Sequence, residues 1–281
     1  MRPAGQRPGD EDRARQDGPD RFVLPVGELP TRGPISTDMP VPAVAVAVGA
    51  HPDDIDFGCG ATLAKWAAHG CVTHHVVMTD GSKGTWDPRV DTTALVTTRR
   101  HEQERAAAIL GSSSVTFLDN VDGELASDAT QRRALCEVIR RLRPTVVLGH
   151  DPWRRYRLHP DHRNAGFLAV DGIVAARDPH FFPEQDAPPH RPSALLLFEA
   201  DEPDHIEDVS GFVDTKIAAL LEHRSQLRST MAIGDDATDG GIDPAHPEVA
   251  AFRQRVIDRL AEGGALGSIP YAEKFKKIDR L

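Results

Sequence analysis

The segment from Val41 to Gly49, which reads VPAVAVAVG, constrains the fold more than any other part of the chain. Small and β-branched apolar residues fill it almost without interruption, a pattern that is typical of a parallel strand buried on both faces. Further strands are predicted at 72–79, 115–118, 145–149 and 193–198. Helices are predicted at 61–69, 99–110, 131–142, 213–227 and 247–262. This alternation of strands and helices predicts a Rossmann-like, doubly wound α/β fold with a mostly parallel sheet.

The first 40 residues differ in composition from the rest of the chain. They contain seven Pro and five Gly among mixed charges, and such a segment cannot bury enough apolar surface to offset the entropy of its ordering. We therefore predict a flexible N-terminal arm over residues 1–40. The remaining part, residues 41–281, has a length that α/β enzymes often fold as a single domain.

Charge and hydropathy exclude several classes of partner. The formal net charge is −10, from 33 basic and 43 acidic residues, and no long Lys/Arg cluster offsets it, so nucleic acid is not an expected partner. No segment resembles the apolar core of a signal peptide or reaches the roughly 18 apolar residues of a membrane span. The three cysteines lack the spacing of a disulfide scaffold. We expect a cytoplasmic protein without a membrane partner, and a homo-oligomer stays open.

Two short motifs pair histidine with aspartate near the ends of predicted strands. His51-Pro-Asp53-Asp54 follows the first strand, and His159-Pro-Asp-His162 begins ten residues after the fourth. In a doubly wound sheet of order 3-2-1-4-5 these two strands are neighbours, and ligands bind in the crevice beyond their carboxyl ends. The two motifs are therefore predicted to meet at one site.

The residue types of the motifs fit a catalytic zinc ion, which takes three protein ligands and leaves a position for water. We predict His51, Asp54 and His162 as the ligands, and Asp53 as the general base that accepts a proton from the zinc-bound water. His159 would act from the other side of the substrate carbonyl, with Asp161 orienting its ring. Either motif alone is more simply explained as a capped turn, but two of them at neighbouring strand ends favour a metal site.

The chain resembles the LmbE-like or PIG-L deacetylases over about residues 43 to 275. The resemblance rests on four segments, Ala50–Thr62, Thr79–Gly84, the helix 99–111 and His159–His162, with weaker similarity at Lys216, His223–Gln226 and Tyr271–Phe275. It implies the same zinc ligands and the same base, Asp53. It also implies that His159 polarises the carbonyl or protonates the leaving amine, and that Asp161 steers it.

The sequence departs from the family pattern at two positions. Some members have a Tyr two residues before the first His of the second motif, where it helps to hold the oxyanion. Here that position is Arg157, and Tyr156 lies three residues before His159. The family often has Glu where this chain has Asp56, which keeps the charge and shortens its reach.

The resemblance implies a hydrolase that removes an N-acetyl group from a small N-acetylglucosamine-containing molecule by attack of zinc-bound water. Basic and aromatic residues near the motifs are the predicted substrate contacts, namely Lys83, Arg99, Trp153, Arg155 and Tyr156. Their charge predicts a preference for derivatives that carry phosphate or carboxylate. The alternatives are an amidase acting on a thiol conjugate of glucosaminyl-inositol and a non-catalytic sugar- or metal-binding module. Asp53 favours an enzyme, because a binding module has no use for a base.

Overall fold

The computed structural model describes residues 34–237 and 241–281. Its strands are β1 Ser36–Thr37, β2 Val44–Gly49, β3 Val72–Thr79, β4 Ser114–Asn120, β5 Val146–His150, β6 Ala194–Phe198, β7 His205–Asp208 and β8 Ala272–Ile278. Its α-helices are α1 Asp54–Ala68, α2 Thr92–Ile109, α3 Ala129–Leu142, α4 Pro160–Arg177, α5 Val213–Leu220 and α6 Pro247–Ala265. Short 3₁₀ turns lie at Arg224–Gln226 and Asp235–Ala237.

The strands form one sheet in the order β1-β7-β8-β6-β5-β2-β3-β4. The five predicted strands are β2 to β6, and they pair in parallel in the predicted order, with β2 between β3 and β5. β8 runs antiparallel to both β6 and β7. The predicted Rossmann-like, mostly parallel α/β fold is therefore confirmed, and the sequence had not predicted β1, β7, β8 or helix α4.

β2 shows why a continuous apolar run is needed at the centre of the sheet. Val46 and Val48 belong to a core cluster that also contains residues of α3 and α4. Ala45 and Ala47 belong to a second cluster, which contains residues of α1. Alternate residues of a strand point to opposite faces, so helices cover both faces of β2. None of the helices in the described ranges is long and apolar enough to cross a membrane.

The predicted arm over residues 1–40 lies mostly outside the described residues. Its last part does not behave as an arm, because Ser36–Thr37 pairs in parallel with β7. The carboxylate of Asp38 accepts a hydrogen bond from the Asp208 N–H at 2.8 Å, and it forms an ion pair with Lys65 at 2.8 Å. The predicted boundary at residue 40 is therefore too late, because paired structure already begins at Ser36. A strand of two residues is too short to show an apolar pattern in the sequence.

Helix α1 is interrupted at Cys59, whose backbone leaves the helical region (φ −149°, ψ 17°). The interruption frees helical N–H and C=O groups that need partners. The Glu273 carboxylate accepts hydrogen bonds from the N–H groups of Ala61 at 3.1 Å and Thr62 at 2.8 Å. Lys216 donates to the carbonyl of Phe57 at 2.7 Å and to Glu273 at 2.5 Å. One buried ion pair thus satisfies both sides of the break.

A close contact explains the glycine that precedes the break. A Cβ atom on Gly58 would lie 2.5 Å from the ring of Phe198, which is closer than carbon atoms can approach. The backbone of α1 therefore packs directly on the end of β6, and any larger residue at position 58 would prevent this packing.

We predict that Lys216→Met lowers the free energy of unfolding by about 3 kcal/mol, because it leaves the Glu273 carboxylate buried without its cation. The matched control is Lys276→Met on β8, which breaks an ion pair with Asp204 and should cost less than about 1 kcal/mol. The two lysine side chains are 5% and 45% exposed. Urea unfolding of both variants measures the difference, and equal losses would contradict the role of the buried pair.

Candidate metal centre and its cavity

The two motifs meet at the carboxyl ends of β2 and β5, where the sequence placed them. The ligand atoms of His51, Asp54 and His162 lie within 4.8 Å of one another. The two carboxylate oxygens of Asp54 are shared between the histidines, with His51 Nδ1 at 3.3 Å from Oδ2 and His162 Nε2 at 3.2 Å from Oδ1. Two imidazoles and one carboxylate form a donor set that suits a divalent transition metal. The residues thus have the composition and proximity of a metal centre.

His150, which the sequence analysis missed, holds Asp54 from behind. It is the last residue of β5, and its Nε2 lies 3.2 Å from Asp54 Oδ2 while its Nδ1 lies 3.2 Å from Glu199 Oε2. Arg157 pairs with the same Glu199 oxygen at 2.7 Å. Burial alone would raise the pKa of Asp54, but His162 and His150 hold that pKa well below its usual range. The signal for His150 was its position at the end of the strand beside β2.

Asp53 adopts a backbone conformation that disfavours any side chain. Its φ is 101° and its ψ is −29° at the start of α1, and such strain costs on the order of 1–3 kcal/mol. The surroundings hold it there, because its N–H donates to Gln103 Oε1 at 2.8 Å. Burial raises the pKa of the Asp53 carboxyl to about 6, although the Arg99 guanidinium acts in the opposite direction.

Gln103 connects Asp53 to a polar network below the site. Its amide nitrogen donates to Asp56 Oδ2 at 2.9 Å and lies 3.3 Å from His75 Nδ1. His223 Nε2 lies 3.0 Å from the same Asp56 oxygen. Burial would raise the pKa of Asp56, but the hydrogen bond from His223 keeps it below its ordinary value. The network links α2, α1, β3 and the residue that precedes the 3₁₀ turn Arg224–Gln226, and it supports the backbone that carries Asp53.

Arg99 is buried within this framework instead of reaching into open space. Its guanidinium donates to the carbonyls of Pro52 at 2.6 Å and Gly81 at 2.8 Å, and it lies 3.4 Å from Asp53 Oδ2. Arg99, which was predicted to contact substrate, instead connects the first motif to the turn after β3 through these hydrogen bonds. The sequence could not distinguish a substrate contact from this structural role, because both need an arginine on the same face of α2.

Asp161 takes a different position from the one expected, while His159 lies beside the two histidines of the candidate metal centre. The His159 ring lies 4.6 Å from the ring of His51 and stacks on His162 at 4.8 Å. Its Nδ1 accepts the backbone N–H of Asp161 at 3.3 Å. The carboxylate of Asp161 lies 3.1 Å from His51 Nε2 and accepts the N–H of Gly123 at 2.6 Å. Asp161 therefore orients His51 with its side chain, and it contacts His159 only through its backbone.

A cavity of about 400 Å³ opens beside the centre, and Asp53, Asp54 and His162 form part of its wall. The rest of the wall comes mainly from α1, α6 and β8, together with Glu199, Lys216 of α5 and Thr230. The four other predicted substrate contacts, like Arg99, lie outside its lining. Lys83 pairs with Glu124 at 3.0 Å, Arg155 contacts Asp201, Trp153 packs on Phe167 and Tyr156 is 93% exposed. The cavity geometry thus gives these residues no support as substrate contacts.

Three comparisons relate this arrangement to known proteins. The sequence profile of the family described as PIG-L, GlcNAc-PI de-N-acetylase, matches residues 46–173. Diacetylchitobiose deacetylase of Thermococcus kodakarensis is 36% identical over 180 residues, which cover 63% of this chain and 67% of that protein. 4-oxalmesaconate hydratase of Pseudomonas putida is 30% identical over 190 residues, which cover 63% of this chain and 71% of that protein. The structure of N,N'-diacetylchitobiose deacetylase from Pyrococcus horikoshii superposes with a TM-score of 0.74 at 28% identity, over 85% of this chain and 84% of that one.

We predict that Asp53→Gly is more stable than Asp53→Ala by about 1 kcal/mol, since only glycine adopts a φ of 101° without strain. Both variants remove the carboxylate, so their difference isolates the backbone. The control is Ala251→Gly at an exposed position in the interior of α6, which should lower stability by about 1 kcal/mol. Thermal and urea unfolding measure all three variants. If glycine were the less stable residue at position 53 as well, the strain would not exist.

Proposed function

We propose, since the chain belongs to the PIG-L family, that it is a zinc-dependent hydrolase that removes the N-acetyl group from a small N-acetylglucosamine-containing molecule. The observation that carries the proposal is the meeting of His51, Asp54 and His162 beside a cavity, with Asp53 held next to them in a strained conformation. A turn that served only folding would have no reason to keep a buried carboxylate at a positive φ.

The donor set fits zinc, because two neutral imidazoles and a carboxylate are ligands that zinc accepts more readily than magnesium does. His51, Asp54 and His162 would hold it, and when bound it would polarise the substrate carbonyl and lower the pKa of a coordinated water. Asp161 and His150 support the ligands by fixing the His51 ring and the Asp54 carboxylate. Such supporting contacts typically change metal affinity by 10- to 100-fold when they are removed.

The remaining residues supply proton transfer. Asp53 accepts the proton of the attacking water, and its position is set by Gln103 and Arg99. Because His159 Nδ1 accepts the Asp161 N–H, the neutral ring carries its proton on Nε2. That N–H is available as a hydrogen-bond donor to the carbonyl oxygen, while the leaving amine takes the proton that Asp53 accepted from the water, which restores the Asp53 carboxylate. Acetate and the free amino sugar are the products.

The substrate class is inferred from the relatives, of which one is named for diacetylchitobiose. The tests are acetate release from N-acetylglucosamine glycosides and acetylated lysine peptides, and release of the free amino sugar from a glucosaminyl-inositol thiol conjugate, each with and without a chelator. We expect chelator-sensitive release from the glycosides. Cleavage of the thiol conjugate alone would favour the amidase. Failure to release acetate, together with hydration of an unsaturated carboxylate, would favour chemistry like that of the hydratase relative.

We predict that purified protein holds one zinc ion per chain, and that His51→Ala and His162→Ala lose the metal together with activity. Asp53→Asn should keep the metal and lose at least about a hundredfold in turnover, because only proton transfer is removed. His101→Ala, at an exposed position of α2, is the control and should change neither property. Metal analysis and acetate release are measured on the same samples. Near wild-type turnover by Asp53→Asn would exclude this residue as the base.

A further inference from the structure

We propose that the end of the cavity formed by α6 and β8 binds an anionic group of the substrate, a carboxylate or a phosphate. The inference rests on the proposed function, because it places the acetamide at the metal end of the same cavity. Arg255, Arg259 and Lys274 line this end. The three residues are called the basic end below, and none of them had been predicted from sequence to contact substrate.

The cations of the basic end differ from the other charged groups of the cavity wall in having no counter-charge. Lys216 is paired with Glu273 at 2.5 Å, and Glu199 is paired with Arg157 at 2.7 Å. By contrast, Arg255, Arg259 and Lys274 form no ion pair with any residue in the described ranges. Three uncompensated cations grouped on a protein of net charge −10 are a local electrostatic feature that attracts anions.

Their arrangement is built by the packing of α6 against β8. Arg255 and Arg259 are four residues apart, so they lie on the same face of α6. A Cβ atom on Gly263 would lie 2.2 Å from the carbonyl oxygen of Ala272 and 3.2 Å from Lys274 Cγ. The glycine therefore lets α6 approach β8 closely, which brings the half-buried Lys274 to the same end of the cavity as the two arginines.

The walls around the basic end are apolar and hold one arginine in place. Phe57 and Phe252 contact each other edge to face at 6.4 Å, and Val256 and Leu260 complete this side. The Arg255 guanidinium lies 5.7 Å from the Phe252 ring centre and donates to the carbonyl of Met231. Arg255 and Arg259 are exposed, and a partly anchored guanidinium offers its other N–H groups to the oxygens of a carboxylate or phosphate.

The continuity of the cavity sets the substrate geometry. Its wall includes Asp53, Asp54 and His162 together with the three residues of the basic end, in a volume of the size that small-molecule sites have. A glycoside whose acetamide reaches the metal ligands would direct its aglycone towards α6. The anion is therefore expected on the aglycone, and its source, carboxylate or phosphate ester, is left to the experiment.

The test uses N-acetylglucosaminides that differ only in the end group of the aglycone, which is a carboxylate, a phosphate or the neutral primary amide of the same carboxylate. For the zinc-loaded wild-type protein we expect kcat/KM for the anionic compounds to exceed that for the amide by roughly tenfold. The advantage should shrink as ionic strength rises. The larger of the two anionic rates identifies the group that the site prefers.

The variant is Arg259→Gln combined with Lys274→Gln, chosen because neither residue has been placed in the catalytic machinery. It should raise KM for the anionic compounds by roughly fivefold to tenfold and leave the amide unchanged. The matched control is Arg253→Gln, on the same helix but paired with Asp214 at 2.8 Å outside the cavity lining. It should alter none of the three substrates.

Binding measured by calorimetry separates this inference from the proposed function. If no compound releases acetate, the proposed function fails, while tighter binding of the anionic compounds that is lost in the double variant still supports the basic end. Equal binding of acid and amide by the wild-type protein would overturn the inference even if both are deacetylated. An equal loss for all three compounds in the double variant would also overturn it, because that result indicates general damage to the cavity.

Discussion

The parallel pairing of β2 with β5 is the contact on which the whole centre depends. Their register sets Val48 opposite Gly149, so the turn that carries His51 and Asp54 begins beside His150 and the loop leading to α4. No local interaction in either motif could bring residues a hundred positions apart into contact. The sheet brings them together without help from the motifs, because the apolar side chains of both strands are buried in the core. The meeting of the proposed metal ligands is therefore a consequence of the strand order in the sheet.

The surroundings of Asp53 show how the fold maintains a strained residue. Its conformation is opposed by its own Cβ atom, and Gln103 and Arg99, both from α2, hold the peptide group that joins Pro52 to Asp53. Each of these side chains is buried and bonded to other elements as well, Gln103 to Asp56 and Arg99 to Gly81. The strain is thus distributed over packed groups that cannot relax independently. Helix α2 contributes to the site by fixing geometry, although no residue of it lines the cavity.

Sequence reasoning succeeded where a topological rule connects local pattern to position. Apolar runs identified β2 to β6, and the rule for ligand sites at the switch point then brought His51 and His162 together. It failed for β8, whose sequence AEKFKKI mixes charged and apolar residues. This antiparallel strand lies between β7 and β6 near one edge of the sheet, and several of its side chains are only partly buried. It also placed Trp153 and Tyr156 at the pocket from their proximity in sequence to His159. Loop direction depends on tertiary contacts such as that between Arg155 and Asp201, which no local pattern encodes.

β8 connects the helix that carries Asp54 with the basic end of the cavity. Glu273 caps the interior of α1, and its neighbour Lys274 lies at the basic end. The first segment of α1 carries Asp54 and ends where Lys216, the partner of Glu273, binds the carbonyl of Phe57. A displacement of β8 would therefore move the cap of α1 and the wall of the cavity together. Because the ion pair is buried and its removal leaves an unpaired charge, the interaction that permits the break in the helix also joins the segment that carries Asp54 to the strand that carries Lys274.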